Sequence, residues 1–194
     1  MNKEASSLDK RSFFYFIFVA HLDYRASFQE QLSNNTGERY ILLLCFSSSL
    51  ILFLSNLPSQ VASRLGVITL EPLSGYIASL LFVSVFFTPL ILYFLSVVLH
   101  LVLRLFGGEG TFYQVRLAFF WSIIVSAPII VILGIFEGYT IGSVYHYFFD
   151  ILSDLIMAWI LSNIVSIAEK FKSVYPMFGV ISFLVLLGNY FYSI

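Results

Sequence analysis

Long apolar runs separated by short polar stretches dominate the pattern along the chain. The hydrocarbon core of a bilayer is about 30 Å thick, and about 20 helical residues cross it. The runs are solidly apolar rather than alternating, which argues against the strands of a membrane barrel. The pattern therefore predicts an all-α membrane protein with five transmembrane helices, over Tyr40–Leu57, Tyr76–Leu103, Leu117–Phe136, Tyr147–Ile167 and Val174–Tyr192.

The second predicted span, Tyr76–Leu103, is longer than a straight crossing needs. At about 1.5 Å per residue it would reach about 42 Å. It also contains Pro89, which interrupts helical hydrogen bonding. We therefore expect this span to tilt, to kink at Pro89, or to project beyond the membrane near His100 and Arg104.

An apolar segment, Phe13–Leu22, lies in the tail formed by residues 1–39 and is too short to cross a bilayer. Apolar residues continue at helical spacing as far as Leu32, which predicts an interfacial amphipathic helix over Phe13–Leu32. Two interpretations stay open: the helix contacts the membrane surface or a partner, or it covers the protein's own bundle, which we favour. The side chains assigned to the first interpretation are Phe13, Phe16, Tyr24 and Phe28.

Composition and charge narrow the class of protein. Hydrophobic residues make up 59% of the 194 residues and charged residues only 11%, which excludes an ordinary soluble enzyme and a disordered chain. A net charge of −1 offers no basic field for nucleic acid, and a single cysteine cannot form an internal disulfide. Basic residues collect in the tail and in alternate loops, with only Arg64 on the other side. We therefore expect a cytoplasmic N-terminus and an opposite C-terminus for the five-helix domain, residues 40–194.

A glycine-rich stretch, Gly107–Gln114, is the most specific local motif. Gly107 can take the left-handed conformation that ends a helix, and Thr111 with Gln114 forms a capping box for the next helix. The stretch is therefore a tight cytoplasmic turn, although a helix N-terminus flanked by arginines could also hold a lipid phosphate. The residues assigned here to contact with a partner or lipid are Arg104, Gly107, Gly108, Gly110, Thr111 and Arg116.

A long second span, the Gly107–Phe112 motif and a proline at 128 together resemble the Ypt-interacting-protein (YIP) domain family. The stretch Trp159–Phe171 also looks like the end of the fourth span in bacterial members. The resemblance implies a five-helix membrane domain with a cytoplasmic N-terminus. Eukaryotic relatives bind Rab GTPases, but the tail here is short and the D-L-Y-G-P motif is absent, so we do not expect Rab binding. For bacterial members the family assigns no catalytic residues.

Three polar residues, His146, Asp150 and Asp154, share one face of the fourth predicted helix. Intramembrane ionisable groups often form proton sites, cation sites or contacts between subunits. The alternative is a hydrated helix end, and we favour it for His146 and Asp150. Both interpretations stay open for Asp154, and Arg64 is its candidate ion partner. We expect no metal site, because His100 and His146 should lie a membrane thickness apart.

Gly134, Gly138 and Gly142 repeat at intervals of four residues near the outer end of the third span. Such spacing allows two helices to approach closely, but it also arises at helix ends and loops. We favour the second interpretation.

These observations predict a non-enzymatic scaffold or accessory subunit of a larger assembly in a bacterial cytoplasmic (inner) membrane. Its expected partners are other integral membrane proteins and lipids, contacted through Phe13–Leu32 and Gly107–Gln114, and no cofactor is expected. The alternative is a transporter or channel for small ions or protons that uses Asp154. An intramembrane protease is not expected, because we find neither a serine motif G-x-S-x nor an aspartyl motif G-x-G-D.

Overall fold

A computed structural model describes residues 23–33, 37–65 and 72–192, with side chains as far as residue 187. The regular structure in this part of the chain is entirely α-helical. In chain order the helices are α1 (Tyr24–Ser33), α2 (Glu38–Leu65), α3 (Leu73–Phe86), α4 (Thr88–Leu105), α5 (Phe112–Tyr139), α6 (Val144–Ala168) and α7 (Tyr175–Tyr192).

Four of these helices, α2, α4, α5 and α6, are long and apolar enough to cross a membrane. The prediction of a helical membrane protein is confirmed at this level. Two further helices are apolar but shorter in their described parts, Leu73–Phe86 and Tyr175–Leu187. Over the described residues four helices therefore qualify as candidate spans, and the count of five stays a prediction.

The second predicted span, Tyr76–Leu103, is not a single helix. Phe87 separates α3 from α4, and Pro89 lies in the first turn of α4. Phe87 itself keeps a right-handed helical conformation, its amide donates to the Val83 carbonyl over 2.8 Å, and its carbonyl accepts from the Ile91 amide over 3.1 Å, so the helical path continues through this point. Proline has no backbone N–H and is tolerated in the first turn, where that group would lack a helical partner anyway. The expected interruption at Pro89 is thus found in the turn that precedes the proline, where the missing amide hydrogen and the ring disturb the helix, and it divides the predicted span into α3 and α4.

Helix α5 is the centre of the bundle. It packs against α1, α2, α4 and α6. Most of its N-terminal half is buried, and the side chains of Leu117, Phe120, Trp121 and Ile123 are inaccessible to solvent. The first turn contains the predicted capping box: the Thr111 amide donates to the Gln114 side chain over 2.9 Å, and the Gln114 amide donates to the Thr111 hydroxyl over 3.3 Å.

Two glycines near the end of α5 allow close contact with α2. A Cβ atom added to Gly134 would overlap the Ser55 carbonyl oxygen, and one added to Gly138 would lie 2.8 Å from the Pro58 carbonyl carbon. Gly142 instead has φ +80° in the turn that follows. The favoured interpretation, helix end and loop, is therefore right only for Gly142, while Gly134 and Gly138 are helix-packing positions.

Helix α1 covers the bundle. The Asp23 side chain accepts hydrogen bonds from the amides of Arg25 and Ala26, which fixes where the helix begins. Phe28 is fully buried, and α1 packs against α6 and α5. The exposed residues include Gln29 and Glu30, so the face away from the bundle is polar. The Arg25 guanidinium reaches toward the bundle and donates to the Ser166 hydroxyl of α6 over 3.5 Å. The favoured interpretation of this segment, a cover for the protein's own bundle, therefore agrees with α1. Phe13, Phe16 and the rest of the predicted helix as far as residue 22 lie outside the described residues.

Candidate functional sites at the two ends of the bundle

The glycine turn ends α4 in a recognised hydrogen-bonding pattern. Gly107 has φ +87°, its amide donates to the Arg104 carbonyl, and the Gly108 amide donates to the Leu103 carbonyl, each over 3.1 Å. This is a Schellman motif, and it needs a left-handed residue after the helix. The prediction for Gly107 is confirmed.

The end of α6 has the same pattern with lysine in the glycine position. Lys170 has φ +59°, its amide donates to the Ile167 carbonyl, and the Phe171 amide donates to the Ser166 carbonyl. A lysine in this conformation is uncommon. The two motifs place the end of α6 beside the turn between α4 and α5, and the Glu109 amide donates to the Glu169 carbonyl over 3.1 Å.

A buried carboxylate joins these two helix ends. The Glu169 side chain is 0% exposed, and its two oxygens have different partners. Oε1 lies 2.9 Å from Nδ1 of His100, which is 8% exposed, and Oε2 accepts a hydrogen bond from the Gly110 amide over 2.7 Å. When this carboxylate is ionised it can only accept hydrogen bonds, and Nδ1 of His100 is then the donor. We call the arrangement of His100, Gly108, Gly110 and Glu169 the carboxylate clasp.

The glycines of the clasp leave no room for a side chain. A Cβ atom on Gly110 would overlap the Ala168 carbonyl oxygen and lie 2.9 Å from Glu169 Oε2. One on Gly108 would overlap the same carboxylate and lie 3.1 Å from the Leu103 carbonyl oxygen. Gly108 and Gly110 are therefore required by the close approach of Glu169, an intramolecular role that the sequence did not indicate.

A second ion pair lies at the same end. The two terminal nitrogens of Arg116 donate to the two carboxylate oxygens of Glu38 over 3.0 and 2.6 Å. The guanidinium also lies 4.5 Å from the Phe112 ring centroid. Glu38 is 61% exposed, so the pair contributes little to stability. This pair ties the start of α2 to the start of α5.

Several groups of the predicted phosphate site have partners within the chain. The Gly110 amide is engaged by Glu169, the Thr111 amide by the capping box, and Arg116 by Glu38. Arg104 is exposed at the end of α4. A lipid phosphate at this helix N-terminus stays a prediction.

The opposite end of the bundle carries an acidic cleft between α2, α5 and α6. The cleft has a volume of about 90 Å³, and Glu137, Asp150 and Asp154 are among the residues that line it. His146 Nδ1 lies 3.4 Å from the Glu137 carbonyl oxygen and 3.9 Å from its carboxylate. The predicted polar face of α6 is thus joined by Glu137 of α5, which the sequence analysis did not assign to it.

Arg64, the predicted ion partner of Asp154, lies near the end of α2, and its guanidinium is 4.8 Å from the Tyr76 ring centroid. The pairing of Arg64 with Asp154 stays a prediction. His100, on α4, lies beside Phe112 at the start of α5, and His146, on α6, lies beside Glu137 near its end, so the two histidines are far apart as expected. Within the described ranges, no group of three or more histidine, cysteine, aspartate or glutamate residues could hold a metal ion.

Comparison of the chain with protein-family models, with curated proteins and with solved structures finds no match. The resemblance to the YIP family therefore stays a prediction.

The sequence indicated only part of the carboxylate clasp. Glu169 lies near the end of the largely apolar stretch Trp159–Phe171. A carboxylate next to an apolar helix indicates that the side chain has a polar partner, and this signal was present in the sequence. His100 was noted only as one of the histidines. Because the two residues are 69 positions apart, no local pattern connects them.

Proposed function

We propose that this protein is a non-enzymatic scaffold or accessory subunit in a bacterial cytoplasmic membrane, where it contacts other integral membrane proteins. The observation that carries the proposal is the unpartnered face of α3. This helix has no buried residue, and the side chains of Phe82, Phe86 and Phe87 are each more than half exposed. A protein neighbour over this face would cover the apolar area that the chain itself leaves open.

The surface formed by the end of α3 suits a helix of another membrane protein. The Phe82 ring contacts Phe86 in a tilted arrangement and Phe87 edge to face, with ring centroids 4.7 and 6.2 Å apart, and all three rings are exposed. Aromatic side chains offer large contact areas and are enriched at the centres of protein interfaces. Helix α3 packs only on α2 and α4 and carries no charge along its length. We name the exposed face formed by Phe82, Phe86 and Phe87 the phenylalanine face.

Placing a photoreactive amino acid at Phe86 in the full chain tests the contact in native membranes. The matched control places it at Phe183, an exposed phenylalanine of α7. We expect one discrete protein adduct from position 86, lost when Phe82→Ala is added, and no such adduct from position 183. Equal or lipid-only adducts at both positions would contradict the proposed contact.

The proposed orientation has a cytoplasmic N-terminus, five spans including Val174–Tyr192, and an external C-terminus. The distribution of charge supports the orientation. Basic residues from several elements lie at one end of the bundle, whereas Arg64 lies at the other end. The basic residues grouped with the clasp are Arg25, Arg39, Arg104, Arg116, Lys170 and Lys172.

Single cysteines in a Cys45→Ser background test this orientation. A maleimide that does not cross membranes should label Tyr139→Cys in intact cells and Lys172→Cys only after lysis. The opposite result would reverse the orientation, and labelling of both in intact cells would contradict the spanning arrangement.

A small-ion or proton transporter is the second candidate, and one observation favours it: Asp154 shares the acidic cleft with Glu137 and Asp150. Against it, the buried hydroxyls of Ser122 and Ser126 on α5 donate to their own helix rather than extending a polar path. Flux measured in proteoliposomes with the parent chain and Asp154→Asn distinguishes the candidates. Flux that Asp154→Asn abolishes would support transport and weaken the scaffold proposal.

A further inference from the structure

A groove of about 320 Å³ lies between α2 and the α3–α4 pair. Its volume is at the lower end of the range of about 300–1,000 Å³ that small-molecule sites occupy. Half of the ten residues that line it are polar, and none of the ten is ionisable. The polar members are Ser49, Asn56 and Gln60 of α2, Ser84 of α3 and Thr88 of α4. Such a lining favours an uncharged ligand, because a charged one would lose its hydration without gaining an opposite charge.

A second groove on the same helix shows that this polar lining is particular to the first. It has a volume of about 430 Å³ and lies between α2 and α5. Of its seven lining residues only Tyr139 has a side chain that can hydrogen-bond, and the others include Val61, Ala62 and Ile135. Helix α2 can therefore present an apolar groove to acyl chains. The hydroxyl and amide groups of the first groove suit a ligand with polar atoms.

The polar side chains of the first groove offer hydrogen-bond donors. Oε1 of Gln60 accepts from the Tyr76 hydroxyl over 2.9 Å, which holds the amide in place and leaves its two N–H donors to other partners. The Ser84 hydroxyl, on the opposite wall, can donate as well. Ser49 and Asn56 instead donate to carbonyls of their own helix. The complementary ligand is uncharged and carries acceptor oxygens.

The depth of the groove narrows the class of ligand. Helix α2 and the continuous path of α3 and α4 have their midpoints near residues 52 and 89. Leu52 and Thr88 therefore mark the inner end of the groove, and Gln60 lies about 12 Å further out at about 1.5 Å per residue. In helices centred in a bilayer the groove begins near the midplane, whereas phospholipid headgroups lie about 15 Å from it. The ligand must bring its acceptor oxygens into the hydrocarbon core.

We propose that this groove binds the ring of a membrane quinone, whose carbonyl oxygens accept hydrogen bonds from Gln60 and Ser84 and whose tail lies in the lipid. A quinone ring is uncharged, carries carbonyl oxygens on opposite sides and, unlike a phospholipid headgroup, enters the hydrocarbon core. Phe53 adds an aromatic side chain to the lining, against which a flat ring can pack. The inference concerns binding alone and does not depend on the proposed partner contact at the phenylalanine face.

Ligand retention by the purified full chain in nanodiscs tests the inference. The protein is incubated with decylubiquinone, with decylbenzene or with a diacylglycerol, and the ligand retained after washing is measured by chromatography against empty nanodiscs. Decylbenzene has a ring and a tail without carbonyls, and the diacylglycerol has ester carbonyls without a ring. We expect about one decylubiquinone per chain and about tenfold less decylbenzene, the ratio that two neutral hydrogen bonds give. Diacylglycerol should be retained no better than decylbenzene, because its ester groups stay near the membrane surface.

Variants locate the binding in the groove. Gln60→Leu combined with Ser84→Ala should lower the retention of decylubiquinone about tenfold, and Leu80→Trp, which fills the groove, should abolish it. Two matched controls should change nothing: Asn163→Leu removes an amide from α6, and Ala62→Trp places the same ring in the second groove. Thermal unfolding of each variant verifies that it is folded.

Photolabelling of the parent chain with an azidoquinone gives a measurement that needs no variant. Mass spectrometry should find the label in residues 49–60 or 80–88. Equal retention of decylubiquinone and decylbenzene would overturn the proposal, because the carbonyls would then not be recognised. Retention of diacylglycerol equal to that of the quinone would overturn it in favour of a lipid. Label confined to other segments, or retention unchanged by the double substitution in a folded chain, would also overturn it.

Discussion

Removal of the Glu169 carboxylate should destabilise the protein strongly. In the folded chain this group is inaccessible to solvent and accepts hydrogen bonds from His100 and the Gly110 amide. A hydrogen bond to a charged group is worth about 1.5–3 kcal/mol, and breaking a buried pair by removing one partner costs about 3–5 kcal/mol. We therefore expect Glu169→Ala to lower the free energy of unfolding by about 3–5 kcal/mol. For a chain of this size the loss corresponds to a midpoint roughly 6–20 °C lower.

Thermal or denaturant unfolding in one mild detergent measures this loss. The matched control is Glu109→Gln, an exposed carboxylate in the same turn, which should stay within about 0.5 kcal/mol of the parent. A double-mutant cycle with His100→Ala should give a coupling energy of about 1–3 kcal/mol, because the two side chains contact each other directly. If Glu169→Ala unfolds within about 1 kcal/mol of the parent, or if the coupling is zero, the clasp does not hold the helix ends together.

Three other substitutions or modifications test the packing. Gly134→Ala should destabilise the protein by about 1–3 kcal/mol, since its Cβ would overlap the backbone of α2. The control Gly75→Ala, on the open helix α3, should be neutral or stabilising by up to about 1 kcal/mol. Equal effects of the two substitutions in an unfolding assay would refute close packing at Gly134. Phe28→Ala should cost about 3–5 kcal/mol, because the ring is fully buried, and Phe94→Ala, at an exposed ring, far less. A small effect of Phe28→Ala would show that α1 is not docked in solution. Cys45 is buried, with Sγ 3.5 Å from the Pro89 carbonyl oxygen, so maleimide should label it only after denaturation. Mass spectrometry measures the labelling, and rapid labelling of the folded protein would contradict this burial.

The features that depend on short segments were predictable from the sequence. The apolar runs predicted a helical membrane protein, and the Thr111 and Gln114 pair predicted a capping box that the structure contains. The left-handed turn at Gly107 was predictable for the same reason, because it depends on neighbouring residues only. Each of these depends on residues within one or two helical turns, where backbone hydrogen bonding limits the alternatives.

The features that depend on distant segments were not predictable. The favoured interpretation of Gly134 and Gly138 failed because helix packing depends on which face α2 presents to them, and the chain alone does not specify that face. The clasp between His100 and Glu169 joins two turns that are remote in the sequence.

The position of α1 has a consequence for biosynthesis. This helix rests on α5 and α6, which the ribosome makes more than eighty residues later. The part of its binding surface that α6 provides is therefore absent until the fourth long helix has been synthesised. During that interval its buried ring, Phe28, must be shielded by the lipid surface or by a chaperone, and a nascent chain arrested before residue 144 would leave α1 open to proteases.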